Sequence, residues 1–178
     1  MSFFTGPSGD ALWESLREGA RELALREPLM KTFVHANILN QPTFERSLAS
    51  LLSLKLETST ILASQWNDLV IDALTTSAEE EEVAVRKKHP PSPGTGSIAL
   101  ACRADLLAIK HRDPACPSFV HAFLFYKGFQ GLAAQRVSHW LWGHGRKVLA
   151  CLVQRCVFVF PTEHSPPLRL QPLFDDVH

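Results

Sequence analysis

Between Ala11 and Leu74 the apolar residues return at three- and four-residue steps, and no stretch there alternates at the two-residue step of a strand. Leu12, Leu16, Ala20 and Leu23 fall on one stripe, with Glu14, Arg17, Glu18, Arg21 and Glu22 between them. That is the pattern of a helix buried along one face. Asp10 stands where a carboxylate would cap this first helix, and Pro28 suits the first turn of a second. The second carries Leu29, Phe33, Ala36 and Ile38, and Asn40-Gln41-Pro42 punctuates it. Thr43 is placed to cap a third helix with Phe44, Leu48, Leu51 and Leu52. Thr60 is expected to open a fourth, bearing Ile61, Leu62, Trp66, Leu69, Val70 and Leu74. Amphipathic helices joined by short polar links constrain the chain to an all-α bundle.

The pattern changes at Glu79. Glu79-Glu80-Glu81-Glu82 leads into Arg86-Lys87-Lys88 and then Pro90-Pro91-Ser92-Pro93-Gly94-Thr95-Gly96. Such a run buries too little apolar surface to offset its ordering entropy, so 79–97 reads as a flexible loop inserted between helices. Helical spacing resumes at Ser97 with Ile98, Cys102, Leu106 and Ile109 and stops at Asp113-Pro114, since the residue before a proline avoids the helical region. Phe119 to Tyr126 and Gly128 to Trp142 follow, and Gly143-His144-Gly145 is a stop signal. Lys147 to Phe160 fits a helix or, through Val157-Phe158-Val159-Phe160, a strand. Pro161, Pro166, Pro167 and Pro172 then mark an irregular tail. The expectation is about seven to eight helices: an N-terminal extension over 1–10, a helical domain over 11–157 and a tail over 158–178.

Composition removes several classes of function. Among the 178 residues, 18 Lys and Arg balance 18 Asp and Glu, which argues against a nucleic-acid binder working through a basic field. No apolar stretch is long enough for a membrane span. Met1 to Asp10 lacks the basic and apolar regions of a signal peptide and the Arg-rich pattern of a transit peptide, so a cytoplasmic protein is expected. Cys102, Cys116, Cys151 and Cys156 do not form a disulfide framework in a chain of this length.

Few motifs carry chemistry. His139 and His144 are five apart, which does not place two imidazoles on one helix face, and no second pair completes a zinc set with Cys151 and Cys156, so no metal site is expected. Phe123, Phe125, Tyr126, Phe129, Trp140 and Trp142 read most simply as core or interface aromatics. The segment Arg112-Asp113-Pro114-Ala115 is more particular, because it sets a carboxylate at a helix end beside a rigid proline. Asp113 either caps a turn or receives a cation such as the ammonium of an amino acid.

Read together, these segments resemble a known family. Asp105 through Cys116, Phe119-Val120-His121-Ala122-Phe123-Leu124, Lys127-Gly128-Phe129, Gln135 through Trp142 and Arg146 through Ala150 are similar, in order, to the N-terminal helical domain of serine O-acetyltransferase, closest to the plant type. Trp13-Glu14, Glu27-Pro28-Leu29, Phe33-Val34-His35-Ala36 and Leu48 through Leu56 extend the resemblance upstream, so that it covers Leu12 to Gln154 with the 79–97 region interrupting it.

The resemblance implies transfer of acetyl from acetyl-CoA to the hydroxyl of L-serine, a step toward cysteine, with a histidine as general base. In the family that histidine and the CoA cleft belong to a C-terminal left-handed β-helix. The helical domain contributes an aspartate and a proline, which map onto Asp113, pairing with the serine ammonium, and Pro114, shaping the pocket wall. Beyond Gln154 the chain shows neither hexapeptide repeats nor the family's Asp-Ile-His-Pro-like entry. The expectation is therefore a family member reduced to its helical domain, with no catalytic residue and no cofactor of its own, the acetyl-CoA site being missing. L-serine would bind weakly if at all. The alternative is an interaction module that associates with itself as a homo-oligomer or with full-length serine acetyltransferase subunits.

Overall fold

The computed structural model describes residues 10–86 and 97–158, and every regular element among them is helical. Helix α1 is Ala11–Arg26, and the Asp10 carboxylate accepts the Trp13 N–H at 3.1 Å, the expected cap. The second segment is less regular than its spacing suggests. A 3-10 turn over Pro28–Met30 passes into the short helix α2, Lys31–Val34, and then into a π-helical turn over His35–Leu39. Buried Asn37 holds that widened turn, because its side chain donates to the Phe33 carbonyl at 2.9 Å while its own carbonyl accepts the Ser47 hydroxyl at 2.7 Å. Helix α3, Phe44–Leu56, begins where expected, with Thr43 Oγ1 accepting the Arg46 N–H at 3.3 Å.

Two sequence expectations need correction at α4, which is Ala63–Arg86. Thr60 does not open it. Thr58 Oγ1 accepts the Ile61 N–H at 3.1 Å to make a tight turn, and the helix starts beyond, with Gln65 Oε1 accepting the Leu62 N–H at 3.1 Å. Nor does the acidic run leave the helix. Glu79 to Arg86, expected as the start of a loop, are helical, because the run has partners: Glu80 reaches His144 and Trp140, and Glu81 accepts the Ser97 N–H at 2.7 Å. The Pro-rich stretch of that expected loop, and the tail beyond Phe158, lie outside the described residues.

Ser97 caps helix α5, Ile98–Arg112, through a 3.3 Å bond from the Leu100 N–H to its hydroxyl. Ser118 caps the short helix α6, Phe119–Phe125. Helix α7, Lys127–Gly143, is stopped just past its cap by Gly145, whose φ of 75° lies in the left-handed region glycine favours. Helix α8, Lys147–Phe158, resolves the helix-or-strand ambiguity toward helix as far as Phe158; Val159 and Phe160 lie outside the described residues. Helices α3 and α4 pack along each other, as do α7 and α8, while α5 lies against α4, α6 and α7, and α1 against α6. Gly19 permits the α1–α6 approach, since a Cβ there would stand 3.1 Å from Val120 Cγ1.

The core is continuous. Trp66, Phe44 and Phe123 are its largest fully buried side chains, and Trp13 meets Phe44 edge-on at 6.4 Å. Arg103 of α5 ties three elements together: it pairs with Asp10 at 2.7 Å and Glu45 at 2.8 Å and lies over the Phe44 ring at 4.2 Å. Among the described residues, no helix is long and apolar enough to cross a membrane.

Candidate functional site

Asp113 follows the last residue of α5, and its backbone N–H still donates to the Ile109 carbonyl at 2.9 Å. The chain then turns. The Cys116 N–H donates to the Asp113 carbonyl at 3.1 Å, which closes a β-turn with Asp113 first and Pro114 second, the positions these residues favour. Lys110 reinforces the exit from the helix by donating to the Cys116 carbonyl at 2.9 Å and the Pro117 carbonyl at 3.0 Å. Asp113 Oδ1 accepts the Ala115 N–H at 2.9 Å, so the turn-capping role is fulfilled by one carboxylate oxygen.

The other oxygen has a partner from elsewhere in the fold. Tyr126, the residue between α6 and α7, donates its hydroxyl to Asp113 Oδ2 at 2.8 Å. That bond holds the proton on the phenol and pushes the Tyr126 pKa up to about 12, with partial desolvation adding to the shift. The half-buried carboxylate opens onto a shallow groove of about 650 Å³ between the end of α5 and the start of α7. Ile109, Arg112, Tyr126, Lys127 and Gly128 share its lining with Asp113. Pro114, expected in the pocket wall, stands exposed at the corner of the turn, and Ile109 and Arg112 form the groove's α5 side.

The structure thus keeps Asp113 and Pro114 in one turn and joins a third residue, Tyr126, to Asp113. From the sequence Tyr126 reads as a core or interface aromatic, and no spacing rule connects it to a position 13 residues earlier. The signal available was its place between two apolar helical segments, where a polar aromatic is poorly spent on packing alone.

A second depression, of about 460 Å³, lies between the end of α4, the start of α5 and α7, with Glu81, Ser97, Arg136 and His139 in its wall. Its polar groups are largely engaged: Glu81 with the Ser97 N–H, and Arg136 in an ion pair with Asp105. Cys102 lies beneath that pair, and burial pushes its thiol up to about 12, so it stays protonated and unreactive. His139 is exposed on α7, whereas His144 is engaged with Glu80. No group of three His, Cys, Asp or Glu able to hold a metal occurs among the described residues.

Fold and site together define an all-helical domain that presents one tethered carboxylate in an open groove. The family model described as "Serine acetyltransferase, N-terminal" matches residues 12–134. Probable serine acetyltransferase 4 of Oryza sativa subsp. japonica is 39% identical over 168 residues, which cover 93% of this chain and 48% of that protein. Serine acetyltransferase 3, mitochondrial, of Arabidopsis thaliana is 36% identical over 148 residues, 83% of this chain and 33% of the relative. The solved structure of soybean serine acetyltransferase complexed with serine superposes with a TM-score of 0.70 at 32% identity, covering 83% of this chain and 53% of that one. The chain belongs to the serine acetyltransferase family. It spans about half the length of the rice relative, and residues 12–134 match the family's N-terminal domain.

Proposed function

We propose that this chain is the serine-side half of a serine O-acetyltransferase, in which Asp113 receives the ammonium of L-serine. The observation that carries this is the division of labour at the carboxylate: one oxygen serves the turn, while the other is held by a hydroxyl from a different helix junction at the edge of an open groove. A carboxylate held in this way is suited to charge-assisted hydrogen bonds from a small cation. Acetyl-CoA and the general base that removes the serine hydroxyl proton belong, in this reading, to the β-helical half of the enzyme. Pro114 fixes the turn and, in this reading, stands in the pocket wall as the resemblance implies. The 178 residues alone are expected to bind serine weakly and to transfer no acetyl group. A cytoplasmic site of action belongs to the same reading, although the Arabidopsis relative is named as a mitochondrial protein.

The test is a chimera in which residues 1–157 precede the C-terminal half of the rice relative. Serine-dependent thiol release from acetyl-CoA should appear in the chimera and fall roughly 100-fold in Asp113→Ala. Release by the 178-residue chain alone that survives Asp113→Ala would overturn the reading, as would a chimera indifferent to that substitution.

The second reading is an association module, acting with a second copy or with full-length serine acetyltransferase subunits. It is favoured by the large apolar side chains left on the surface, among them Leu25, Leu29, Trp142 and Val148. A stable monomer in size-exclusion chromatography that ignores full-length enzyme would remove it.

A further inference from the structure

We propose that Tyr126 is a positioning residue for Asp113, holding the carboxylate so that its unused lone pairs face the groove. The inference rests on the reading of Asp113 as the ammonium site and deepens it. The turn over residues 113–116 needs only Oδ1 and the Asp113 carbonyl, so it gives no reason for a second donor on Oδ2. That donor comes from a residue whose backbone is fixed on both sides: the Tyr126 N–H donates to the Ala122 carbonyl at 3.2 Å, and its carbonyl accepts the Gln130 N–H at 3.2 Å. The ring is further steered by His121, which meets it edge-on at 5.8 Å. Phenol and carboxylate are thus brought together by helices α5, α6 and α7.

The consequence is stereochemical. Each carboxylate oxygen can accept two hydrogen bonds. With Ala115 on one and Tyr126 on the other, each keeps one lone pair, and the carboxyl plane cannot rotate without breaking a bond. An ammonium in the groove therefore meets a preorganised acceptor rather than one that must be ordered on binding. A phenol is protonated throughout the neutral range, so Tyr126 acts there as a neutral donor and brings no charge of its own to compete with Asp113 for the ligand.

The sequence contains a single tyrosine, which makes the bond measurable in the full chain without any ligand. Tyrosinate absorbance at 295 nm, read by stopped-flow pH jump before the helices can unfold, should give a midpoint near 12 in the wild type and a clearly lower one in Asp113→Ala, where only desolvation and neighbouring Cys116 still raise it. A wild-type midpoint near 10 would overturn the proposal whatever becomes of the serine reading. The second arm titrates the labelled full chain with L-serine, following the Asp113 carboxyl carbon and the Ala115 amide by NMR, with 3-hydroxypropionate as the ligand lacking the ammonium. Tyr126→Phe, which keeps the ring against His121, should weaken serine binding about tenfold. In an Asp113→Asn background the same substitution should change nothing, whereas a merely structural tyrosine would weaken binding in both. Equal serine affinity in wild type and Tyr126→Phe would overturn the positioning role and leave the ammonium reading intact. No serine response at Asp113 in the wild type would remove both.

Discussion

Glu80 and His144, 64 residues apart in sequence, meet at 2.7 Å between Oε1 and Nε2, while the other ring nitrogen of His144 faces the Trp140 carbonyl at 2.9 Å. Both partners are acceptors, so only the doubly protonated imidazolium satisfies the pair. The ring also stacks on Trp140 at 4.1 Å, and Trp140 Nε1 donates to the second Glu80 oxygen at 3.4 Å. The acidic end of α4 is thereby fastened to the end of α7.

The pH consequence has a definite sign. The Trp140 carbonyl, and then Glu80, raise the His144 pKa above 6.5 against partial desolvation, and Asp72 adds to the rise while itself lying 3.7 Å from Arg146. A raised folded-state value means the stabilisation is fully present below pH 6.5 and fades as pH climbs through the folded value. The unfolding free energy from urea titrations should therefore fall as pH rises from about 6 through the folded value, by less than about 1 kcal/mol because the pair is partly exposed. Glu80→Gln should flatten that slope, and an unchanged slope would refute the pairing.

This contact also explains a limit of the sequence. Read alone, Glu79 to Glu82 is a charge run with no apolar stripe, and charge runs without partners are solvated. Its partners, His144, Trp140 and Ser97, lie on other helices, so nothing local records that the run is held in place. The caps Asp10 and Thr43 were legible because each bonds to an N–H three residues ahead. Thr60 misled for the converse reason, since neighbouring Thr58 offers the same hydroxyl chemistry and the turn uses that one. At the site, Asp113 was legible from its turn residues and its family resemblance, whereas Tyr126 was not, because its role is created by the packing of α5 against α6 and α7.

Arg103 should be the most costly surface-to-core charge to remove. Its side chain is only 12% exposed, and it joins Asp10 and Glu45, so truncation strands two partly buried carboxylates. Asp10 divides its oxygens as Asp113 does, one for the Trp13 N–H and one for the distant cation. Arg103→Ala should destabilise by about 3 kcal/mol in urea denaturation. Arg103→Lys should recover only part of this, since a lysine cannot reproduce the forked geometry.

The four thiols should separate cleanly in a reaction with a disulfide reagent near neutral pH. Cys151 is exposed and should react first. Cys156 is half-buried, its pKa raised by desolvation, and should follow slowly. Cys102 and Cys116 are buried and should react only after denaturant is added. Fast labelling of Cys102 in the native chain would contradict the packing around Arg136.

Gln130 offers the sharpest separation of hydrogen bonding from packing. Its side chain is 2% exposed and donates to the Phe123 carbonyl at 3.1 Å and the Leu124 carbonyl at 2.8 Å, satisfying the end of α6 from within α7. Gln130→Leu fills nearly the same volume but leaves both carbonyls buried without that donor, so it should cost about 2–3 kcal/mol, and Gln130→Ala should cost more by adding a cavity. The same side chain fixes the elbow that carries Tyr126. Gln130→Leu should therefore also lower the tyrosinate midpoint, and a variant that lost stability while keeping that midpoint near 12 would show that the elbow is held by other contacts.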